Sequence, residues 1–229
     1  MLINNTITPD QRVDKSVIAI MGKDRYVALA GILMIGERDV VDDIPNFPKN
    51  RLQTACTNGR DEWYNKNYIE DLTDAELRGL VLHESYHKMY RHLITWYNLY
   101  LVDAECAAKA LDYVINQKIY DENLSDGFAK LPKGGLLDEK FRGMNEAEVV
   151  KALREKKCGG EGGGKGKGDG KGDGKAKGDE TGAGDGTGNG AGEPLDHHDF
   201  EGGNKLSDEE VKELTKDIDE ALRQGAMIA

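Results

Sequence analysis

"VLHESYHKMYRH", Val81 to His92, holds three of the five histidines in a chain of 229 residues. Its first part, His83-Glu84-Ser85-Tyr86-His87, has the form H-E-x-x-H. On a helix, residues four apart share a face one turn above the other, so His83 and His87 can offer two imidazoles to one ion. Glu84 is turned about 100° from His83, which suits a base that reaches a metal-bound water without ligating the metal. The preceding segment supports the helix: Thr73 and Glu76 in "TDAE" form a capping box, and Leu77, Leu80, Val81 and Leu82 lead into the histidines. The pair therefore falls at the edge of a core and not on a solvated face. H-E-x-x-H also arises by chance in about one chain in a hundred, so the competing reading is a helix whose histidines are only packed and hydrogen-bonded.

A catalytic zinc takes three protein ligands and keeps the fourth position open, whereas a structural zinc is closed by four. His92 is the nearest further candidate. Nine residues after His83 on an unbroken helix, it is turned about 180° away. "KMYRHLITWY" has no Gly or Pro to break that helix. A second helix, expected from about Val102 to Tyr120, aligns Glu105, Lys109, Asp112 and Asn116 along one face. Asp112 lies between Leu111 and Tyr113, where an acid is costly unless it pairs with a cation such as Lys109 or Arg91, or binds metal. Glu105 is nearer the helix start, where the dipole favours an acid anyway. The order of candidates is Asp112, then Glu105, then His92.

The formal charge of -11 argues against nucleic acid as the main partner, because phosphate binding needs a basic surface. Three cysteines, Cys56, Cys106 and Cys158, make no paired framework and fit a reducing compartment; Cys56 and Cys106 read as buried thiols. "MLINNTITPDQ" lacks the basic start and apolar run of a signal peptide, and no apolar stretch approaches the roughly 18 residues of a membrane span. The expected location is cytoplasmic.

Gly159 to Gly192 is nearly all Gly, Lys, Asp and Ala, with no large apolar residue to join a core. It reads as a flexible linker in which 5 Lys and 7 acids, counted from Gly159 to Glu193, nearly balance. The expected organisation is a domain over 1–157, a linker over 158–194 and a C-terminal segment over 195–229. Within the first part, Thr8-Pro9 starts a helix, and "YVALAGILMIG", Tyr26 to Gly36, has the length of a buried strand, although a buried helix has the same pattern. "LQTACTNGRDEWYN" reads as a hairpin around Asn58-Gly59, and "MNEAEVVKALREKK" as a third helix capped by Asn145. Ser207 and Glu210 form a second capping box. Val211, Leu214, Ile218 and Leu222 follow it at helical spacing, so this helix docks on its own core or on a partner. His197-His198, brought back by the linker, is either a polar turn or a source of an oxyanion or substrate contact through His198.

Several stretches together resemble a known family: "TNGRDEWYN", "LTDAELRGLVLHESYHKMYRH", "AKALDYVINQ", "GLLDEKFRGMNEAEVVKAL", "LDHHDF" and "DIDEALRQGA". They are similar to an HExxH metallopeptidase domain of bacterial and tailed-phage proteins, often joined to a von Willebrand A-like domain. The resemblance runs from about Asp14 to the C-terminus outside the glycine tract. It implies an α+β, zincin-like fold with a short sheet and hairpin beside the HExxH helix. It also implies His83 and His87 as zinc ligands, Glu84 as the base, Asp112 as the third ligand and Asn116 behind them. No stretch carries the Asp-x-Ser-x-Ser signature of a von Willebrand A domain.

The resulting expectation is a zinc-dependent peptidase in which Glu84 takes the proton of a zinc-bound water. Its peptide or protein substrate would add as a strand along the hairpin from about Gln53 to Asn65. The rival is a catalytically inactive zinc-binding module whose C-terminal helix recruits a partner such as a ring ATPase. Filling of the fourth ligand position by His198, Glu105 or His92 would favour that rival.

Overall fold

The computed structural model describes residues 7–47, 49, 51–159 and 197–229. Most of the expected linker, 160–194, lies outside the described residues.

The first helix, α1 (Pro9–Met21), begins as its cap predicts. The Thr8 side chain accepts from the Gln11 N–H, and the Gln11 side chain accepts from the Thr8 N–H. Val13, Val17 and Ile20 are its buried face.

The apolar run from Tyr26 to Gly36 is not a strand. Asp24–Leu29 forms a 3-10 turn that passes into α2 (Ala30–Leu33). The run is continuous because it is buried on two sides. Tyr26, Leu29 and Leu33 face the main core with α1, whereas Ile32 faces a second cluster built by the C-terminal helix. Burial on both sides hides the period that separates helix from strand.

A four-stranded mixed sheet follows. It contains β1 (Arg38–Val41) and the hairpin of β2 (Ala55–Thr57) with β3 (Glu62–Asn65). At the hairpin turn the Asn58 side chain accepts from the N–H groups of Arg60 at 2.9 Å and Asp61 at 2.7 Å, and Gly59 takes a φ of +90° that favours glycine.

The rest of the first part is mainly helical, with a loop over 124–145 that includes a 3-10 turn at Glu139–Phe141. In order come α3 (Lys66–Asp71), α4 (Asp74–Met89), α5 (His92–Thr95), α6 (Tyr97–Val102), α7 (Ala104–Asn123) and α8 (Glu146–Gly159). Cys158 and Gly159, expected to open the linker, close α8 instead. After the undescribed stretch come β4 (His197–His198), α9 (Phe200–Asn204) and α10 (Asp208–Ile228). The architecture is α+β.

The strand order is β1-β3-β2-β4. β1 lies parallel to β3, and β4 lies parallel to β2 with Cys56 opposite His197 and Thr57 opposite His198. Each hairpin strand thus has an outer neighbour. The hairpin is interior, which corrects the expectation that it offers an edge for a substrate strand.

The C-terminal helix docks on its own chain. Leu214, Ile218 and Ala221 of α10 pack with Ile32. The approach is close enough that a Cβ on Gly225 would lie 2.1 Å from the Ala28 carbonyl oxygen. Among the described residues no helix is long and apolar enough to cross a membrane.

Candidate metal centre

α4 carries the H-E-x-x-H segment, and two devices set its position. At its start the Thr73 hydroxyl accepts from the Glu76 N–H at 3.3 Å, while the Thr73 N–H donates to Glu76 Oε2 at 2.9 Å. Near its end a buried charge network clamps it to the sheet. Lys88 Nζ donates to the Ile35 carbonyl at 2.5 Å and pairs with Glu62 Oε1 of β3 at 2.8 Å. Glu62 Oε2 accepts from Arg38 Nε at 2.9 Å and from the Tyr64 hydroxyl at 2.7 Å. Burial alone would raise the Glu62 carboxyl, but the Lys88 and Arg38 cations outweigh it and hold the group down at about 2. Tyr64 is pushed well above its ordinary value, by burial first and then by the Glu62 and Glu84 charges.

Helical phase then places the chemistry. Relative to His83, Glu84 and Lys88 lie about 100° and 140° around the axis, and His87 about 40°. Clamping Lys88 to the sheet side turns His83 and His87 toward α7.

The expected unbroken helix through His92 does not exist. α4 stops at Met89, and Arg91 adopts a left-handed conformation with φ 55°. No glycine is needed, because tertiary contacts offset the roughly 1–2 kcal/mol cost of that conformation. Arg91 pairs with Asp219 of α10, and Leu93 is buried against Leu111 and Phe200. The break returns His92 to the cluster. Its Nδ1 lies 3.0 Å from His87 Nδ1, and its Nε2 lies 3.2 Å from Glu146 Oε1. Burial pushes the His92 imidazole below its usual value against the opposing effect of Glu146.

Four buried side chains converge: His83, His87, Asp112 and His198. His87 Nε2 lies 3.1 Å from His83 Nε2 and 2.9 Å from His198 Nε2. Asp112 Oδ1 lies 3.8 Å from His83 Nε2, 3.5 Å from His87 Nε2 and 3.3 Å from His198 Nε2. A tetrahedral zinc with bonds of about 2.0–2.1 Å separates its ligand atoms by about 3.3–3.4 Å. The five separations scatter around that edge length, and three imidazoles with one carboxylate are a donor set suited to zinc. The residues present therefore fit such an ion.

Of the cations the sequence suggested as partners for Asp112, Lys109 pairs with Glu105 at 2.8 Å, and Arg91 pairs with Asp219. Glu105, ranked second as a ligand, is 56% exposed and lies outside the cluster. One turn beyond Asp112, Asn116 stands behind His83. Its Oδ1 accepts from His83 Nδ1 at 2.8 Å, and its Nδ2 donates to the Leu136 carbonyl at 3.0 Å. The second bond sets which way the amide points, so His83 carries its proton on Nδ1 and presents a bare Nε2.

His198 enters from far along the chain and is held by its neighbours. β4 pairs with β2, and the Asp199 N–H donates to the Thr57 carbonyl at 3.0 Å. Phe200 is buried and stacks on Tyr100 with ring centroids 4.4 Å apart. His197 points elsewhere, edge-on to Phe47 at 5.3 Å. The sequence offered His198 as an oxyanion or substrate contact and, in the rival reading, as a fourth ligand; the structure places it in the donor group. Glu146 was missed altogether, since an acid in the first turn of a helix is ordinary.

Beside His83 and Asp112 lies a cavity of about 20 Å³, lined also by Leu80, Asn116, Leu131, Pro132 and Gly135. It has room for about one water. Next to it the chain before Leu131 packs tightly on α4, since a Cβ on Gly79 would lie 1.9 Å from the Lys130 carbonyl oxygen.

A family model described as "Putative metallopeptidase domain" matches residues 15–228. No curated protein and no solved structure matches the chain.

Proposed function

The chain belongs to the putative metallopeptidase domain family, and from that membership we propose that it is a zinc-dependent peptidase of zincin type, with Glu84 as general base. The observation that carries this reading is the convergence of His83 and His87 on α4 with Asp112 on α7, at separations suited to one zinc ion. His198 is the fourth donor. A bound zinc supplies Lewis acidity to a water and to the carbonyl of the scissile bond. The remaining work falls to the chain's own groups. Glu84 accepts the proton of the attacking water and returns it to the leaving amine. Asn116 keeps the Nε2 of His83 bare. The Glu62–Lys88 clamp fixes the rotation of α4 against the sheet, and with it the direction in which Glu84 and the two histidines face. The substrate class is a peptide or protein, and a cysteine count of three, which makes no paired framework, fits a cytoplasmic setting.

One observation favours the second reading, a zinc-binding module without activity. All four donors come from the protein and all are buried, which is the pattern of a closed site. In that case the C-terminal helix is a poor recruiting surface, since its apolar face is covered by this chain. A partner would have to use other surface.

Metal analysis of the purified protein, followed by a peptide library on wild type and Glu84→Gln, separates the readings. One zinc per chain in both proteins, with cleavage by wild type alone, is the expected result. One zinc in both and cleavage by neither would favour the module. No zinc in wild type would overturn both.

A further inference from the structure

Behind His87 a chain of ring nitrogens leads outward to a carboxylate on another helix. We infer that His92 and Glu146 are positioning residues that hold His87 in the tautomer with a bare Nε2, the form able to bind a metal. The inference rests on the metal site proposed above.

His87 Nε2 faces the donors at 3.1 Å and 2.9 Å, and its Nδ1 faces His92 Nδ1 at 3.0 Å. Two ring nitrogens at that distance attract only if one carries a proton and the other does not. The far side of His92 decides which. Its Nε2 lies 3.2 Å from Glu146 Oε1, and an ionised carboxylate only accepts. His92 therefore carries its proton on Nε2. An imidazole whose single proton is on Nε2 has a bare Nδ1. That bare nitrogen selects the Nδ1–H form of His87 and leaves His87 Nε2 free of a proton. In the reverse arrangement His92 Nδ1 donates to His87. The proton of His87 then moves to Nε2, among the metal donors, and a bare His92 Nε2 opposes the Glu146 carboxylate.

His83 shows the same device with different parts. Its Nδ1 donates to Asn116, which is oriented by the Leu136 carbonyl. Both histidines of the H-E-x-x-H segment thus send their N–H outward into the protein, to Asn116 on α7 and through His92 to Glu146 on α8. Such outer partners fix ring orientation, and losing one typically lowers metal affinity about 10–100-fold.

The test uses the full chain with two readouts independent of peptidase activity. A long-range proton–nitrogen NMR spectrum of the zinc-free protein reads the His87 tautomer. Competition with a zinc chelator reads affinity, with circular dichroism confirming that each variant is folded. Wild type should show His87 protonated on Nδ1. His92→Phe keeps a ring but offers no acceptor, and should bind zinc about 10–100-fold more weakly. His92→Gln, whose amide can accept from His87 and donate to Glu146, should recover most of that loss. Glu146→Leu should weaken binding in the same direction and serves as the variant if His92→Phe does not fold. Four results would overturn the inference: an Nε2-protonated His87 in wild type, wild-type affinity in His92→Phe, wild-type affinity in Glu146→Leu, or a His92→Gln as weak as His92→Phe. If wild type binds no zinc, the metal-site reading fails, and the tautomer measurement still decides this one.

Discussion

Replacing His198 with alanine should convert a four-donor site into a three-donor site. Its Nε2 stands 2.9 Å from His87 Nε2 and 3.3 Å from Asp112 Oδ1, so it shares one ion with them. Four-ligand zinc sites in small domains bind with roughly 10–16 kcal/mol at neutral pH. An equal share per ligand is about 2.5–4 kcal/mol, or roughly 10²–10³-fold in affinity at about 1.4 kcal/mol per decade. The Asp112 charge remains, so binding should weaken without vanishing. Melting reads this directly. Zinc at 100 times the wild-type dissociation constant stabilises wild type by about 2.7 kcal/mol. In a chain of this size that is a rise of roughly 5–10 °C. The same zinc concentration should raise the melting temperature of His198→Ala by about 2 °C or less. Chelator competition gives the constants themselves. Equal zinc affinity in the two proteins would refute the reasoning. It would leave His198 as a substrate contact, and turnover would then fall with no change in metal binding.

Asp112→Ala removes a donor and the charge nearest the three imidazoles, so zinc affinity should fall at least as far as in His198→Ala, measured by the same competition. Lys88→Met leaves the Ile35 carbonyl and Glu62 without their buried cation, and urea unfolding should show a loss of about 3–5 kcal/mol. The Glu62 carboxyl is held at about 2 in the folded protein, below its ordinary value of 4.5. The stability it contributes is complete above the higher of these values and is lost as pH falls through the lower. Acid unfolding of zinc-free Lys88→Met should therefore begin at higher pH than in wild type. Gly225→Ala places a Cβ 2.1 Å from the Ala28 carbonyl oxygen, so α10 must shift, and thermal melts should show a loss of about 1–3 kcal/mol.

What could be read from residue order alone is what short-range physics controls. Thr73 with Glu76 and Ser207 with Glu210 start helices because a hydroxyl and a carboxylate three residues apart satisfy each other's backbone N–H groups. His83 and His87 share a face because the helical repeat puts them there, and Asp112 stands out as an acid between Leu111 and Tyr113. The hairpin is legible in Asn58-Gly59. Tertiary structure decided the rest. Arg91 breaks α4 with no local breaker, because Asp219 and the core under Leu93 stabilise the turn. His198 joins residues more than a hundred positions earlier, because β4 pairs with β2 and Phe200 is buried. Glu146 reaches His92 because α8 packs on α7. Helix phase and caps depend on a few neighbouring residues, so they are written in order along the chain. A donor cluster depends on the relative placement of α4, α7 and β4, which only the packing of the whole core determines.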